Sequence, residues 1–261
     1  MLADYHIHTN FSDDSTYEME DVVRKAISLG IDEICFTEHV DYGVKGDLNC
    51  DYNTYIKEFQ RCKKEYEDQI VLKIGIEFGM QVHTINQFQK DFQQYDFDFV
   101  ILSCHQVDNQ EFWSQDFQNG RTQQEYNQKY YEEILKVIKR YDGYSVLGHL
   151  DMIKRYDEVG KYPFEKIENI VTEILSQVIE HGKGIEINTS SFRYGLEDLT
   201  PSREILKLYR ELGGTIITIG SDTHKEEHVG YNISYVKEEL KRLGYKQFCT
   251  FEKMKPIFHN L

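Results

Sequence analysis

The chain has 261 residues, with 45 Asp and Glu against 30 Lys and Arg and a formal net charge of −15. That length suits one large domain or two small ones, and 40% hydrophobic with 13% aromatic residues supplies a sizeable core, which excludes a disordered acidic tail. The acidic balance disfavours nucleic acid and anionic membrane surfaces, since polyanions need a basic face; a small anionic substrate stays open if positive charge is supplied locally, as a metal centre would supply it.

Short apolar runs alternate with longer amphipathic segments, the pattern of βα units around a parallel sheet. A strand over residues 2–8 precedes a helix over 19–29, which stops at Gly30. Strands at 33–37, 71–77 and 97–103 precede helices at 54–67, 84–94 and 123–139, the last with Tyr131, Ile134, Leu135 and Ile138 as its buried stripe. Strands at 144–148, 184–188 and 215–220 precede helices at 164–181, 202–212 and 234–243. Thr200 is expected to cap the sixth helix, with Pro201 at its first position. Nothing marks a domain boundary, so a single barrel domain over 1–261 is expected. Seven βα units read as a closed or nearly closed α/β barrel. An open doubly wound sheet is the rival, but neither G-x-G-x-x-G nor a P-loop is present to favour it.

Five cysteines, with no C-x-x-C pair, argue against a disulfide framework or a thiolate zinc site and point to a reducing, cytoplasmic compartment. The N-terminal MLADYHIHTN lacks the basic start and apolar run of a signal peptide, and no stretch matches a membrane span.

In a βα barrel, chemistry collects at the C-terminal ends of the strands. Windows of about five residues at seven strand ends cover roughly an eighth of the chain, so one or two of the ten histidines belong there by chance. Six fall there: His6, His8, His39, His105, His149 and His224. Glu77 and Asp222 join them. His6-x-His8 puts two imidazoles on one strand face, and Asp222-x-His224 repeats the device near the far end of the chain. Imidazoles and carboxylates without thiolates suit Zn²⁺, Mn²⁺ or Fe, and a bridging carboxylate suits a multinuclear site.

His6-x-His8-Thr9, Thr37-Glu38-His39, Glu77, His105, Gly148-His149-Leu150-Asp151 and Ser221-Asp222-Thr223-His224 resemble, in order, the motifs of the PHP family (polymerase and histidinol phosphatase). Residues 148–155, 186–193 and 221–230 are similar to its histidinol-phosphate phosphatases rather than to the domains attached to bacterial DNA polymerases. The resemblance implies a distorted (β/α)7 barrel with three divalent ions (Zn, Mn or Fe) at the strand ends. One ion would be held by His6, His8, Glu77 and Asp222, and a second by Glu77, His105 and His149. A third would use His39, His224 and an aspartate where relatives often carry histidine; Asp13 and Asp14 both stand there, and Asp14 is the one chosen.

The activity implied is hydrolysis of L-histidinol phosphate to L-histidinol and phosphate by a hydroxide held between metals. Arg155 and Arg193 would clamp the phosphate, and Asp14, Asp222 or a water in the ligand shell are unranked candidates to protonate the leaving oxygen. The alternatives are a PHP phosphoesterase acting on another small phosphomonoester or nucleotide, and a non-catalytic metal-binding module regulating a partner. No nucleic-acid or membrane partner is expected.

The remaining candidates have blander readings. His83, His181, His228 and His259 lie off the strand ends and are expected to be structural or solvated. Glu186 and Asn188 are expected either to support ligands or to touch substrate, and Glu38 and Asp151 to support ligands. Cys104 should be a buried thiol facing away from His105, and Tyr126, Tyr130 and Tyr131 should be helix packing. The loop 106–121, with Trp113 and Asp116, is expected to overhang the metal rim; Lys45 and the 41–51 loop are lesser candidates.

Overall fold

Runs such as Ala-Asp-Tyr-His-Ile and Gly-Ile-Glu-Ile-Asn are buried at every position, as strands covered on both faces must be. In the computed structural model, which describes residues 1–44 and 49–261, these strands form one parallel sheet. Lys45 lies outside the described residues. In chain order the strands are β1 (Ala3–Ile7), β2 (Glu33–Phe36), β3 (His39–Val40), β4 (Val71–Gly79), β5 (Phe99–Ser103), β6 (Gln106–Val107), β7 (Gln110–Glu111), β8 (Val146–Leu147), β9 (Gly184–Asn188), β10 (Ile217–Gly220), β11 (Gln247–Glu252) and β12 (Lys255–Asn260). The helices are α1 (Met19–Ser28), α2 (Tyr52–Glu65), α3 (Ile85–Gln94), α4 (Gln123–Ile138), α5 (Glu168–Glu180), α6 (Arg203–Glu211) and α7 (Ile233–Arg242).

The sheet runs β1-β2-β4-β5-β8-β9-β10, with β3 continuing beside the far end of β4. It closes where Ile7 bridges Thr223: His8 N donates to Thr223 O (2.8 Å) and Thr223 N to His6 O (3.1 Å). The result is the nearly closed, distorted (β/α)7 barrel that the seven units implied. Closure also brings the first and last site motifs side by side.

Two apolar layers hold it. Outside, Val22, Phe59, Phe88, Tyr130, Ile174, Tyr209 and Val236 fasten the helices to the sheet. Tyr126, Tyr130 and Tyr131 are all buried packing residues, as is Cys104. Inside, Tyr5, Cys35, Phe99, Ile101 and Val146 meet; β1 and β5 are not neighbours, so this contact crosses the barrel interior. Phe248 and Phe251 of the β11–β12 hairpin complete that plug. Tyr5 pins it, its hydroxyl donating to buried Glu33 and accepting from Phe251 N (2.8 Å).

Local chemistry sets the helix starts. Thr122 and Glu125 cap α4 reciprocally, and Asp51 accepts from Thr54 N (2.8 Å) at α2. The expected cap of the sixth helix is corrected. Thr200 O accepts from Asn188 N (2.7 Å) in a bridge to β9, so the chain turns helical two residues later, with Ser202 as cap. The segment expected as one helix from 164 is a short 3-10 turn at Phe164–Lys166, followed by α5. No helix among the described residues is long and apolar enough to cross a membrane, and all five cysteines are free and buried.

Candidate metal centre

The six histidines, Glu77 and Asp222 sit at or just beyond strand ends, and Asp14 lies in the loop between β1 and α1. Glu77 lies in β4 and is fully buried; the parallel register puts His39 of β3 opposite it. The two oxygens of Glu77 divide the histidines. Oε1 lies 2.9 Å from His149 Nε2 and 3.2 Å from His105 Nε2. Oε2 lies 3.0 Å from His39 Nδ1, 3.2 Å from His6 Nε2 and 3.5 Å from His8 Nε2. Ser103 Oγ donates to Oε1 (2.6 Å). Asp222 Oδ1 stands 3.7 Å from His6 Nε2 and 3.6 Å from His8 Nε2. At the mouth, Asp14 Oδ2 is 3.2 Å from His224 Nε2 and 3.6 Å from His39 Nε2. The Asp14 side chain is 46% exposed, against 0% for His6 and His8.

Donor atoms converge in four sets: His6, His8 and Asp222; His6, Glu77 and His149; His39, Glu77 and His105; His8, His39 and His224. These sets bring together eight of the nine side chains expected to hold metal, and Asp14 stands beside His39 and His224 at the mouth. His39 is a refinement, because it faces Glu77 on one nitrogen and the mouth on the other.

The buried imidazoles and carboxyls shift one another strongly. Burial alone would raise the carboxyls of Glu77 and Asp222. Instead both are held well below the usual carboxylate range, Glu77 by His6, His105 and His39, and Asp222 by His6, His224 and Arg155. Burial works against charge on His105, yet Asp41 and Glu77 push it up to about 10. His6 is raised well above its ordinary value, against its burial, by Glu186, Glu77 and Asp222. Burial and the neighbouring His39, His224 and His6 hold His8 well below its ordinary value. Asp14, though partly buried, is also lowered, by His224 and His39. These neighbours favour the ionised forms of Asp14 and Asp222, so either would have to take up a proton before it could give one to a leaving oxygen.

Supporting groups fix the imidazoles. Glu186 Oε1 takes the Nδ1–H of His6 (2.5 Å) and its Oε2 accepts from His149 N (2.9 Å), which makes it a ligand support rather than a substrate contact. Asn188 accepts from Ser190 N (3.0 Å) and Oγ (2.5 Å), and its Nδ2 lies 3.5 Å from His6 Nδ1. Glu38 binds Thr9 and Ser12 of the loop after β1, and Asp151 binds Lys154 (2.7 Å) and Ser202 N (2.9 Å). Neither makes a hydrogen bond to a site imidazole; each ties down a neighbouring loop. Sequence reasoning missed Asp41, whose Oδ1 accepts from His105 Nδ1 (2.7 Å). Its signal was available, since His39-x-Asp41 repeats the alternate spacing noticed at 6/8 and 222/224.

The centre floors a cleft of about 740 Å³ lined by Asp13, Asp14, Trp113, Arg155, Tyr156, Arg193, Tyr194 and His228, among others. Trp113 on the loop after β7 overhangs the rim as expected, whereas Asp116 is not among the lining residues. His228, read as structural, lines the cleft too; His83, His181 and His259 instead bond to Asn109, Gln177 and Thr250 away from it. Arg155 donates to Ser190 Oγ (2.7 Å) and stacks on Tyr194, its guanidinium carbon 3.8 Å from the ring centroid, while its buried Nε has no hydrogen-bond partner. Arg193 donates to the carbonyls of Ser221 and Asp222, both at 2.8 Å. Those bonds clamp a strained peptide, since Asp222 adopts φ +56°.

The PHP domain family profile matches residues 4–190. The chain is 32% identical to the histidinol-phosphatase of Lactococcus lactis over 97% of its own length and 95% of that protein's. It is 30% identical to a probable histidinol-phosphatase of Clostridium acetobutylicum, over 99% and 96%. Among solved structures it superposes with a TM-score of 0.88 on the L. lactis histidinol phosphate phosphatase complexed with zinc, L-histidinol and phosphate, at 31% identity and 98% coverage of both chains.

Proposed function

The chain belongs to the PHP-domain family, and from that premise we propose that it is a phosphomonoesterase that hydrolyses L-histidinol phosphate to L-histidinol and inorganic phosphate. The observation that carries the reading is the convergence of six imidazoles and three carboxylates on one barrel rim, in a cleft that Arg155 and Arg193 also line.

The donor set fits divalent metal. His6 Nε2, His8 Nε2, His39 Nδ1 and Glu77 Oε2 are buried and form no hydrogen bond, although the nitrogens lie only 3.0–3.5 Å from that oxygen. Each unpaired buried polar atom costs about 1–3 kcal/mol, a cost that bound cations would offset. Ligands at ordinary zinc bond lengths around a tetrahedral ion sit about 3.4 Å apart, close to the spacings observed. We assign His6, His8, Glu77 and Asp222 to one ion, Glu77, His105 and His149 to a second, and His39, His224 and Asp14 to a third, each Zn, Mn or Fe. Such ions lower the pKa of water and draw charge from phosphoryl oxygens.

The chain's own residues then bind and orient the ester. Arg155 lines the cleft with its guanidinium stacked on Tyr194, and supplies the positive charge that meets the phosphate. Arg193 keeps the Asp222 peptide in place while adding positive charge beside the same oxygens. Asp14 and Asp222, ionised in the resting site, accept a proton from the attacking water; either can return it to the leaving alkoxide as the ester bond breaks. Asp13 gives the substrate's ammonium a counter-charge, and Trp113 and Tyr156 give its imidazole flat apolar walls. This reconciles the acidic chain with a phosphate substrate, because the metals and two arginines neutralise one end and carboxylate the other.

The test is phosphate release from L-histidinol phosphate by metal-replete and chelator-treated protein, set beside unrelated monoesters. The reading predicts metal-dependent turnover with a clear preference for histidinol phosphate. Equal turnover of all esters would refute the substrate, and no turnover with metal bound would refute the enzyme.

A further inference from the structure

β3 pairs with β4 in parallel, His39 opposite Glu77 and Val40 opposite Phe78. Continuing that register sets Asp41 beside Gly79, the last residue of β4. Gly79 has no positive φ, so backbone freedom does not explain a glycine there, and glycine inside a strand weakens it. What explains it is space. A Cβ on Gly79 would stand 1.8 Å from Asp41 Oδ1 and 2.6 Å from His105 Nδ1, in the volume that their 2.7 Å hydrogen bond occupies. Both residues are buried, and Asp41 N is anchored by Asn49 Oδ1 (2.6 Å). The same construction recurs across the barrel. A Cβ on Gly220 would stand 2.5 Å from Glu186 Oε1, the oxygen that takes the Nδ1–H of His6.

We propose that Asp41 is a positioning residue for the metal centre: seated in the gap left by Gly79, it holds His105 as the Nδ1–H tautomer with the Nε2 lone pair aimed beside Glu77 Oε1. His105 Nε2 lies 3.2 Å from that oxygen, so the ring presents its free lone pair where the ion shared with Glu77 and His149 would sit. Without Asp41, the ring can rotate and can carry its proton on either nitrogen, and a fraction of molecules loses a ligand. A carboxylate partner also makes the imidazole a stronger donor. Gly79 then belongs to the site without touching metal or substrate. The proposal rests on the reading of the Glu77 cluster as a metal centre.

Zinc affinities measured by equilibrium dialysis against chelator-buffered Zn²⁺ test it on the full chain, using wild type, Asp41→Ala, Asp41→Asn and Gly79→Ala. Metal-free thermal melts of each variant serve as the folding control. Expected is a loss of about 10- to 100-fold in affinity for one bound ion in Asp41→Ala, with the others retained. Asp41→Asn, which keeps the shape and an acceptor oxygen without the charge, should fall between wild type and alanine. Gly79→Ala should match Asp41→Ala although the carboxylate remains in the sequence. In zinc-loaded wild type, ¹⁵N spectra should show His105 protonated at Nδ1. Wild-type zinc affinity in Asp41→Ala, with or without a lower melting temperature, overturns the proposal; if that variant does not fold, wild-type affinity in Asp41→Asn overturns it. A wild-type chain that binds no zinc defeats the metal reading itself, a result distinct from either.

Discussion

Arg155→Ala separates substrate capture from metal assembly. The Arg155 side chain is 7% exposed, and its guanidinium is fixed by Ser190 Oγ and by stacking on Tyr194. Its distance to Asp222 Oδ2 is 3.9 Å, too long for a hydrogen bond; the Asp222 backbone is held instead by the Arg193 clamp. Removing Arg155 therefore deletes charge-assisted hydrogen bonds to phosphate worth about 1.5–3 kcal/mol while leaving the ligand cluster standing. At 1.4 kcal/mol per tenfold, kcat/KM should fall about 10- to 150-fold, mostly through KM. Arg155→Lys, which keeps the charge but not the fork, should recover part of the loss. Steady-state phosphate release at saturating metal, with metal content measured on the same samples, is the assay. A kcat/KM within about twofold of wild type in fully metallated Arg155→Ala would show that the guanidinium does not meet the phosphate.

Three further outcomes are expected. Tyr194→Ala should raise KM about 2- to 5-fold, the worth of one cation–π contact of about 0.5–1 kcal/mol, and Tyr194→Phe should not; equal effects in both would implicate the hydroxyl instead. In metal-free protein, the carboxyls of Glu77 and Asp222 are lowered, so the stability they lend is present above their unfolded values and lost as pH falls. His105 is raised to about 10, so its contribution is complete below its unfolded value near 6.5 and lost as pH rises through about 10. Melting temperature should therefore decline on both sides of neutrality, and zinc added at pH 7 should release protons, read with an indicator in weak buffer; binding without proton release contradicts the charge pattern. Finally, Tyr5→Phe should cost about 1–3 kcal/mol in urea denaturation with metal content unchanged, because Glu33 loses a buried donor far from the rim; an unaltered midpoint would remove Tyr5 as the pin of the hairpin.

The strand ends were legible because histidine is rare enough that six at one rim carry information, and because two-residue spacing on a strand fixes a shared face. The β11–β12 hairpin was not legible. Its two-residue turn is Lys253-Met254, both at positive φ, where Asn-Gly would have announced it. Asp98 holds that turn from a distant part of the chain, accepting from Lys253 N on Oδ1 (3.0 Å) and from Met254 N on its carbonyl (2.9 Å), and local sequence does not carry such a contact. The β6–β7 hairpin did carry a signal, Asp108-Asn109 at positive φ, inside what read as one long loop. Within the site, the candidate ligands could be named from sequence but their hydrogen-bond partners could not. Glu186 meets His6 and Asp41 meets His105 only because the barrel closes and β3 runs beside β4. The cap at Thr200 failed for the same reason, a long-range bridge to Asn188 outweighing a local preference.

The most direct test of the metal centre is anomalous diffraction, collected at the edge of the bound metal, from crystals of metal-replete protein with phosphate present. The account predicts ions on both oxygens of Glu77, one toward His105 and His149 and one toward His6, His8 and Asp222, a third between His39, His224 and Asp14, and phosphate within reach of Arg155. Peaks elsewhere, or none around Glu77 in protein that turns over substrate, would contradict it.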